Sequence, residues 1–523
     1  LVRLSMSFIT PLHASCSARL ETVLRERIPC DTKPRGALAT VPGYVACEGF
    51  LLPLAPGASP SASHEAGFVV TPSVGSHLRK VARAVMPMKY PILLQGPTSA
   101  GKTSLVEYIC SLTQHRFVRL NNHEHTELSE YFGSYVTDEQ GKLVFRYGLL
   151  VEAAIKGHWI VLDELNLAPS EVLESLNRLL DDNHELLIPE TQEVIKPHPH
   201  FMLFATQNPP GVYGGRKTLS RAFRSRFIEV HVEDIPSEEL AIILEQRCSL
   251  PTSWCKQMIT VMIELQRRRQ GSQLFAGRHG FFTPRDLFRW GNRKAKNPQE
   301  LAEHGFMLLG ERLRRKEEQD IVLDVLRRVF SLVVDPIAVY ERYFLVESKR
   351  VLARTQSDTS MSLFSSIVWT SGMKRLFVLL SQALRFKEPV LLVGETGCGK
   401  TTASELYGLL RGLPVEILNC HQSTDTSDFI GSLRPARKDM QAANDNLSMV
   451  LSLLSVSQPS EGSDLVEQAR TVIREKEDQA EENQKHFEGL YVELQRHLTM
   501  SESIFAWRDG PLVDCMKRGG LFV

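Results

Sequence analysis

Three properties are missing from this 523-residue sequence. It has no net charge, because Lys plus Arg and Asp plus Glu both total 61, so its composition gives no general attraction to nucleic acid or to an anionic membrane. Its nine cysteines include no CxxC pair and no metal-like spacing, which favours free thiols in a reducing compartment. No apolar stretch is long enough to cross a bilayer. What remains is the composition of a soluble globular protein with the length of several domains.

The N-terminus also lacks an initiator Met. The sequence begins at Leu1, and its first apolar stretch is interrupted by Arg3 and Pro11. A secretory signal peptide needs an uninterrupted apolar segment. We therefore expect a fragment or an incomplete gene model.

An internal repeat is the strongest feature that is present. Two glycine-rich stretches end in Lys102 and Lys400, which are 298 residues apart. The same spacing relates three further pairs of residues, namely Asn121 and Asn419, His123 and His421, and Gly133 and Gly431. Two homologous modules therefore run in one register, from about residue 69 to 133 and again from 367 to 431.

The second copy then carries an insertion. FRYG at Phe145 matches WRDG at Trp507, and this spacing of 362 residues makes the second copy 64 residues longer. The extra stretch, residues 437–502, is rich in charged residues and Gln, which predicts a helical arm or a disordered loop. At the new spacing Val161 matches Val523, so we expect half of the second active site to be absent.

Both copies carry the pattern G-x-x-x-x-G-K-[ST] between an apolar run and a helical pattern, which predicts a phosphate-binding P-loop. Backbone N–H groups and the helix N-terminus would bind the phosphates of ATP, and the lysine would reach the β- and γ-phosphates. Thr103 and Thr401 are the predicted Mg²⁺ ligands of the two loops. The predicted cofactor-binding residues are Gly96, Pro97, Thr98, Ser99, Ala100, Gly101, Lys102 and Thr103 in the first copy, and Gly394, Glu395, Thr396, Gly397, Cys398, Gly399, Lys400 and Thr401 in the second.

Two later strand ends supply candidate catalytic residues. The apolar run before Asp163 and Glu164 predicts a strand whose first acid holds Mg²⁺ and whose second polarises the attacking water. The next apolar run ends near Asn208, which is the candidate for a sensor that orients this water. The alternative for Asn208 is turn chemistry, because two prolines follow it.

Arginines supply the remaining candidates. Arg226 is the first candidate for an arginine finger, which would stabilise the transition state in a neighbouring site, and Arg224 is the second candidate. The alternative is a basic helix end that pairs with backbone carbonyls. Arg285 follows an N-cap and a proline, Thr283 and Pro284, and either senses the γ-phosphate from the lid or pairs with nearby acids such as Asp286.

These motifs resemble AAA+ ATPases of the MoxR type. GKLVFRYGLL is similar to that group's insertion in its second helix, and HELLIPETQEVIKPHPHF to its hairpin before the first sensor. The combination of LNNHEHTEL, VLDELNLAP and ATQNPPGVYGGRK with a second module reading EPVLLVGETGCGKTT and WRDGPL resembles the midasin family more narrowly.

The resemblance implies a module pair from a single-chain ring of six AAA+ modules that uses ATP to release assembly factors from precursors of the large ribosomal subunit, in the nucleolus and nucleoplasm. The neighbouring modules of the ring and pre-ribosomal particles would be the partners, with no membrane and no direct nucleic-acid binding. In such rings an arginine of the neighbouring module completes each nucleotide site. This chain alone would therefore bind ATP but hydrolyse it weakly.

The predicted fold class is α/β, with two tandem P-loop AAA+ cores, a helical lid on the first and a truncated second. The predicted boundaries are an N-terminal segment over 1–68, a core over 69–231, a lid over 232–345, a linker over 346–366 and a partial core over 367–523. Three alternative functions remain: another MoxR-like remodelling ATPase, a nucleic-acid translocase, and a structural module that binds ATP without hydrolysing it, against which Glu164 argues. The translocase would use basic residues such as Lys196 and Arg267 against phosphates.

Overall fold

A computed structural model describes residues 41–58, 67–137, 143–209, 218–270, 282–313, 315–352, 367–435 and 505–523. Two compact units divide the chain, one with residues up to 134 and 147–336, the other with 135–146 and 337–523. The insertion predicted over 437–502 lies outside the described residues, as do 1–40 of the N-terminal segment and 353–366 of the predicted linker. None of the helices in these ranges has the length and apolar character needed to cross a membrane.

The first core contains strands, helices and three short β-hairpins. The elements are β1 (Tyr44–Cys47), β2 (Phe50–Pro53), α1 (Pro72–Val85), β3 (Ile92–Gln95), α2 (Lys102–Thr113), β4 (Phe117–Asn121), α3 (Leu128–Phe132), β5 (Gly133–Thr137), β6 (Leu143–Tyr147), α4 (Leu149–Lys156), β7 (Trp159–Asp163), a 3₁₀ turn (Leu165–Leu167), α5 (Ser170–Ser175), α6 (Asn177–Leu180), β8 (Leu186–Leu187), β9 (Val194–Ile195), β10 (Met202–Gln207), α7 (Arg221–Arg224) and β11 (Ile228–His231).

Five parallel strands form the central sheet, in the order β11-β3-β10-β7-β4. The apolar runs at Ile92–Leu94 and Trp159–Leu162 are completely buried, as expected for strands covered by helices on both faces. The strand ends that carry the predicted motifs therefore meet at one edge, where an α/β sheet binds its ligands. This arrangement confirms the predicted AAA+ core.

The N-terminal hairpin belongs to this core. β1 and β2 pair antiparallel, and Cys47 and Leu52 are buried in the same apolar cluster as Leu78 and Val106. We predicted an N-terminal segment without assigned structure up to residue 68. Within the described residues, 41–58 instead pack on α1 and α2 and so extend the first unit.

A helical lid follows the core. Its helices are α8 (Ser237–Cys248), α9 (Thr252–Gln270), α10 (Pro284–Asn292), α11 (Pro298–Leu309) and α12 (Lys316–Phe330). The buried Trp290 lies at its centre, where its indole N–H donates to the Leu301 carbonyl at 2.8 Å. Its ring packs on Gly305, where an added Cβ would lie 2.4 Å from a ring carbon. The next helix, α13 (Pro336–Leu352), runs through the boundary that we predicted at 345.

The second unit repeats the first in register. After α13 its elements are α14 (Ser371–Arg385), α15 (Lys400–Arg411), β12 (Val415–Glu416), α16 (Thr426–Ile430), β13 (Gly431–Pro435), β14 (Phe505–Asp509), α17 (Pro511–Arg518) and β15 (Leu521–Phe522). The parallel pair Val415 and Leu521 corresponds to Phe117 and Trp159 of the first unit at the two spacings found in the sequence. The two tandem modules are therefore confirmed.

The strand expected before the second P-loop is the exception. Residues 389–393 form no strand, and Leu391 is 88% exposed whereas the matching Leu93 is completely buried. In the first unit β10 and β11 flank β3 on both sides, and the described part of the second unit has no counterpart of either. The apolar pattern alone predicted a strand, but an extended segment needs partners for its backbone groups.

Gly305 gives a test of the lid packing. We expect Gly305→Ala to destabilise the chain by about 1–3 kcal/mol, because the methyl group would overlap the Trp290 ring. The control is Gly75→Ala in α1, where the nearest heavy atom lies at an ordinary 3.4 Å, so helix propensity should leave stability unchanged or raise it by about 1 kcal/mol. Urea unfolding of both variants measures the difference, and equal curves would contradict this account of the lid.

Candidate nucleotide-binding site

The first P-loop is shaped for close approach of a ligand to its backbone. Gly101 adopts a left-handed φ of 82° immediately before α2 begins at Lys102. Gly96 packs so tightly on the carbonyl of Val232 that an added Cβ would lie 2.2 Å from its oxygen. The loop therefore presents N–H groups at a helix N-terminus, where an anion is stabilised.

Lys102 is the charged centre of the loop. Its side chain is buried, and Nζ donates to the carbonyls of Gly96 at 2.8 Å and Pro97 at 2.7 Å and to Oδ1 of Asn208 at 2.7 Å. The backbone carbonyl of Asn208 in turn accepts from the Asn166 side chain at 3.2 Å. Asn208 thus lies beside the lysine that is predicted to bind phosphate, a position in keeping with its predicted sensor role.

Asp163 accepts hydrogen bonds on both carboxylate oxygens. Oδ1 accepts from the Thr206 hydroxyl, and Oδ2 accepts from the Arg119 guanidinium. Oδ2 also lies 3.4 Å from the Thr103 hydroxyl. The Thr103 and Asp163 oxygens form a donor set of the kind that Mg²⁺ prefers, so these two residues fit the predicted metal site.

Glu164 is held in an unusual backbone conformation. Its φ is 52°, in the left-handed region that few side chains adopt, and its N–H donates to the Thr206 hydroxyl at 3.1 Å. Such strain persists where the surrounding structure fixes it, often at active sites. Thr206 therefore joins the two acids by one hydroxyl group. Sequence reasoning missed Thr206, although it lies two residues before the predicted sensor.

A cavity of about 570 Å³ runs from these residues to the lid. Six residues of the first P-loop, from Thr98 to Thr103, line it together with Asp163, Glu164 and Asn208. The lining also includes an apolar part, here named the apolar end, formed by Phe68, Val69, Val74, Ile235, Leu240, Ile243 and Phe288. This end suits a nucleobase, and no motif had identified it.

One aromatic contact and one hydrogen bond define the apolar end. Phe68 stacks on Tyr108 with ring centroids 4.3 Å apart, which fixes the loop before α1. His77 accepts a hydrogen bond from the Glu233 N–H at 3.3 Å, and burial lowers the pKa of its imidazole. The ring is therefore neutral at physiological pH and adds no charge near a base.

The lid contributes Arg285 and Arg247 to the cavity. Thr283 caps α10, with Asp286 closing the capping box and Pro284 in the first turn, as the sequence predicted. Asp286, one of the acids that could have paired with Arg285, pairs with Arg312 at 2.6 Å. Arg285 is therefore placed as a lid residue of the nucleotide cavity. Arg247, whose guanidinium lies 5.1 Å from the Phe288 ring centroid, was not predicted.

The candidate arginine fingers lie outside this cavity. Arg226 donates from Nε to Asp181 and from a terminal nitrogen to Asn177 Oδ1 at 2.6 Å. Arg224 lies 3.8 Å from Glu229. Neither residue lines the cavity of its own unit, which is compatible with service to a neighbouring module, so the role of both stays a prediction.

The second P-loop repeats the first in part. Lys400 Nζ donates to the carbonyls of Gly394 at 2.8 Å and Glu395 at 2.6 Å, in the same pattern as Lys102. Its third partner is Cys398 Sγ at 3.6 Å, where Lys102 has Asn208. Thr401 is exposed, and no carboxylate corresponding to Asp163 faces it within the described residues. The phosphate-binding and Mg²⁺-binding roles predicted for this loop are therefore supported only by the conformation of the loop itself.

Comparison with known proteins agrees with this geometry. Residues 91–227 and 389–454 match the AAA domain of the dynein-related subfamily, and residues 239–333 match the midasin AAA lid domain. The chain is 50% identical over 476 residues to Midasin of Dictyostelium discoideum, which covers 87% of this chain and 8% of that protein. It is 39% identical over 482 residues to Midasin of Giardia intestinalis, which covers 88% of this chain and 9% of that protein. It is also 34% identical over 174 residues to an uncharacterized protein of Staphylococcus epidermidis, which covers 32% of this chain and 65% of that protein.

Thr206 provides a test of the geometry around the acids. Thr206→Val keeps the shape but removes the hydroxyl that donates to Asp163, so we expect nucleotide affinity in Mg²⁺ to fall about tenfold, the effect of one lost hydrogen bond to a charged group. Thr206→Ser keeps the hydroxyl and should retain most of the affinity. Fluorescence titration measures the nucleotide affinity of each chain. Equal affinity of Thr206→Val and the parent chain would show that the hydrogen bonds of the Thr206 hydroxyl do not support the site.

Proposed function

Because this chain belongs to the midasin family of AAA+ ATPases, we propose that its first module binds ATP with Mg²⁺ and hydrolyses it within a ring of such modules. The chain spans less than a tenth of the length of the two midasins that it resembles, so the activity of a whole protein is part of this proposal. The observation that carries it is the convergence of Lys102, Asp163 and Asn208 on one end of a nucleotide-sized cavity.

Each residue has a defined part in this reaction. Lys102 and the P-loop N–H groups bind the phosphates, and Asn208 orients both the lysine and the attacking water. Glu164, held by its strained backbone, accepts the proton of that water. When bound to Thr103 and Asp163, Mg²⁺ would neutralise the charge of the transferred phosphoryl group. Arg285 extends from the lid into the same cavity and senses whether the γ-phosphate is present.

The larger function follows from the family. We propose that the two modules are part of a pseudo-hexameric ring in the nucleus, and that ATP turnover in this ring releases assembly factors from precursors of the large ribosomal subunit. Support for this comes from the match of the lid to the midasin lid domain and from the order of the two modules along the chain. The neighbouring modules and the pre-ribosomal particle are the proposed partners.

Nucleotide binding is the direct test of the first module. We expect Lys102→Ala to weaken binding of a fluorescent ATP analogue by at least about tenfold, because a buried cation that bonds to phosphate is lost. Lys156→Ala is the matched control, since Lys156 is exposed and pairs with Glu152 on the same helix, α4. Lys400→Ala in parallel reports the second loop. Unchanged binding in Lys102→Ala would refute the proposed site.

Hydrolysis by the chain alone is the second test. Among the residues that the structure describes, the candidate fingers Arg226 and Arg224 do not line the cavity that holds Glu164, so neither of them completes the first site of its own unit. An arginine finger accelerates such reactions by about a thousandfold or more. We therefore expect the purified chain to bind ATP but to release phosphate about a thousandfold more slowly than an assembled ring. A rate equal to that of a full-length family member in the same assay would contradict this arrangement.

A further inference from the structure

Arg119 is a positively charged residue that lines the cavity, and no sequence motif had identified it. It lies in the middle of β4, opposite Val161 of β7, and its guanidinium donates to Oδ2 of Asp163. The Arg119 side chain is 45% exposed, whereas that of Asp163 is 10% exposed. A long, partly solvated side chain therefore reaches a largely buried carboxylate at the phosphate end of the cavity.

The oxygen that Arg119 contacts is also the one that faces Thr103. The Thr103 hydroxyl lies 3.4 Å from Oδ2, while Oδ1 accepts from Thr206. A divalent cation ligated by Thr103 and Asp163 would therefore use the same carboxylate oxygen as the guanidinium. Two cations at one oxygen repel each other, so Arg119 and the metal compete for Asp163.

Asp163 without a cation would repel the phosphates of a nucleotide. Arg119 offsets this negative charge, so the pair presents no net negative charge to the phosphates at the wall of the cavity. Its exposure leaves it free to move into the cavity when Oδ2 is taken by another ligand. Arg119 would thus favour binding of a nucleotide in the absence of metal and would oppose binding of the metal.

We propose that Arg119 is a positioning residue that sets the metal dependence of the first site. It shields Asp163 so that ATP or ADP binds without Mg²⁺, and it raises the Mg²⁺ concentration at which the metal occupies the Thr103–Asp163 pair. This inference rests on the proposed nucleotide site. The second module differs at this point, because the residue that matches Arg119 at the spacing of 298 is Ile417.

The substitution Arg119→Ile therefore places in the first module the side chain that the second one has. The test uses the full chain carrying Lys400→Ala, so that only the first P-loop is measured, and a fluorescent ATP analogue in EDTA or in Mg²⁺. In EDTA we expect Arg119→Ile to weaken binding about tenfold, because the charge of Asp163 is then no longer offset and repels the phosphates. In saturating Mg²⁺ the change should stay below about threefold, because the metal then neutralises Asp163.

A Mg²⁺ titration supplies the second measurement. Arg119→Ile should lower the Mg²⁺ concentration at half-saturation, and Arg119→Lys, which keeps the charge, should lie between this variant and the parent. Equal weakening with and without Mg²⁺ would instead make Arg119 a simple phosphate ligand, and no change in either condition would remove it from the site; both results overturn the proposal. Unfolding curves of the variants exclude misfolding as the cause. Failure of the nucleotide site itself is distinguishable, since the parent chain would then show no binding that depends on Lys102.

Discussion

The site depends on two opposite charges buried at one end of a parallel sheet. Lys102 and Asp163 are each 7% exposed, and charges buried to this degree are costly unless neighbours bond to them. Asn208 and backbone carbonyls accept from the lysine, while Thr206 and Arg119 donate to the carboxylate. The side-chain partners lie on β4, at the end of β10 and just after it, so the strand order β3-β10-β7-β4 is what completes the site.

The apolar end of the cavity depends on a different contact, between core and lid of the first unit. Glu239, in the first turn of α8, accepts from the backbone N–H of Ser73 at 3.0 Å, at the start of α1. This bond fixes the beginning of the lid beside the loop that holds Phe68. Since Leu240 and Ile243 of α8 line the apolar end, the same bond places the lid residues against the base. A nucleotide would therefore contact sheet, N-terminal loop and lid together, which links phosphate chemistry to the position of the lid.

The sequence predicted those parts of the site that are local. The P-loop, the acids at Asp163 and Glu164 and the N-cap at Thr283 each follow from a short pattern, and Asn208 follows from its position after a buried strand. Arg119, Thr206 and Phe68 were missed because their roles arise only when separate strands and loops come together. The absence of a strand at 389–393 has the same cause. An apolar run is a property of one segment, whereas formation of a strand depends on neighbouring strands that pair with it. Arg224 and Arg226 remain predictions because a finger acts on another module.

Photolabelling with an azido-adenine analogue of ATP tests the central claim most directly. The account predicts that mass spectrometry finds the label on residues of the apolar end, such as Phe68, Leu240 or Phe288, and that Lys102→Ala or excess ATP prevents labelling there. Labelling confined to other parts of the chain, or labelling of these residues that persists in Lys102→Ala, would contradict a single nucleotide site between core and lid.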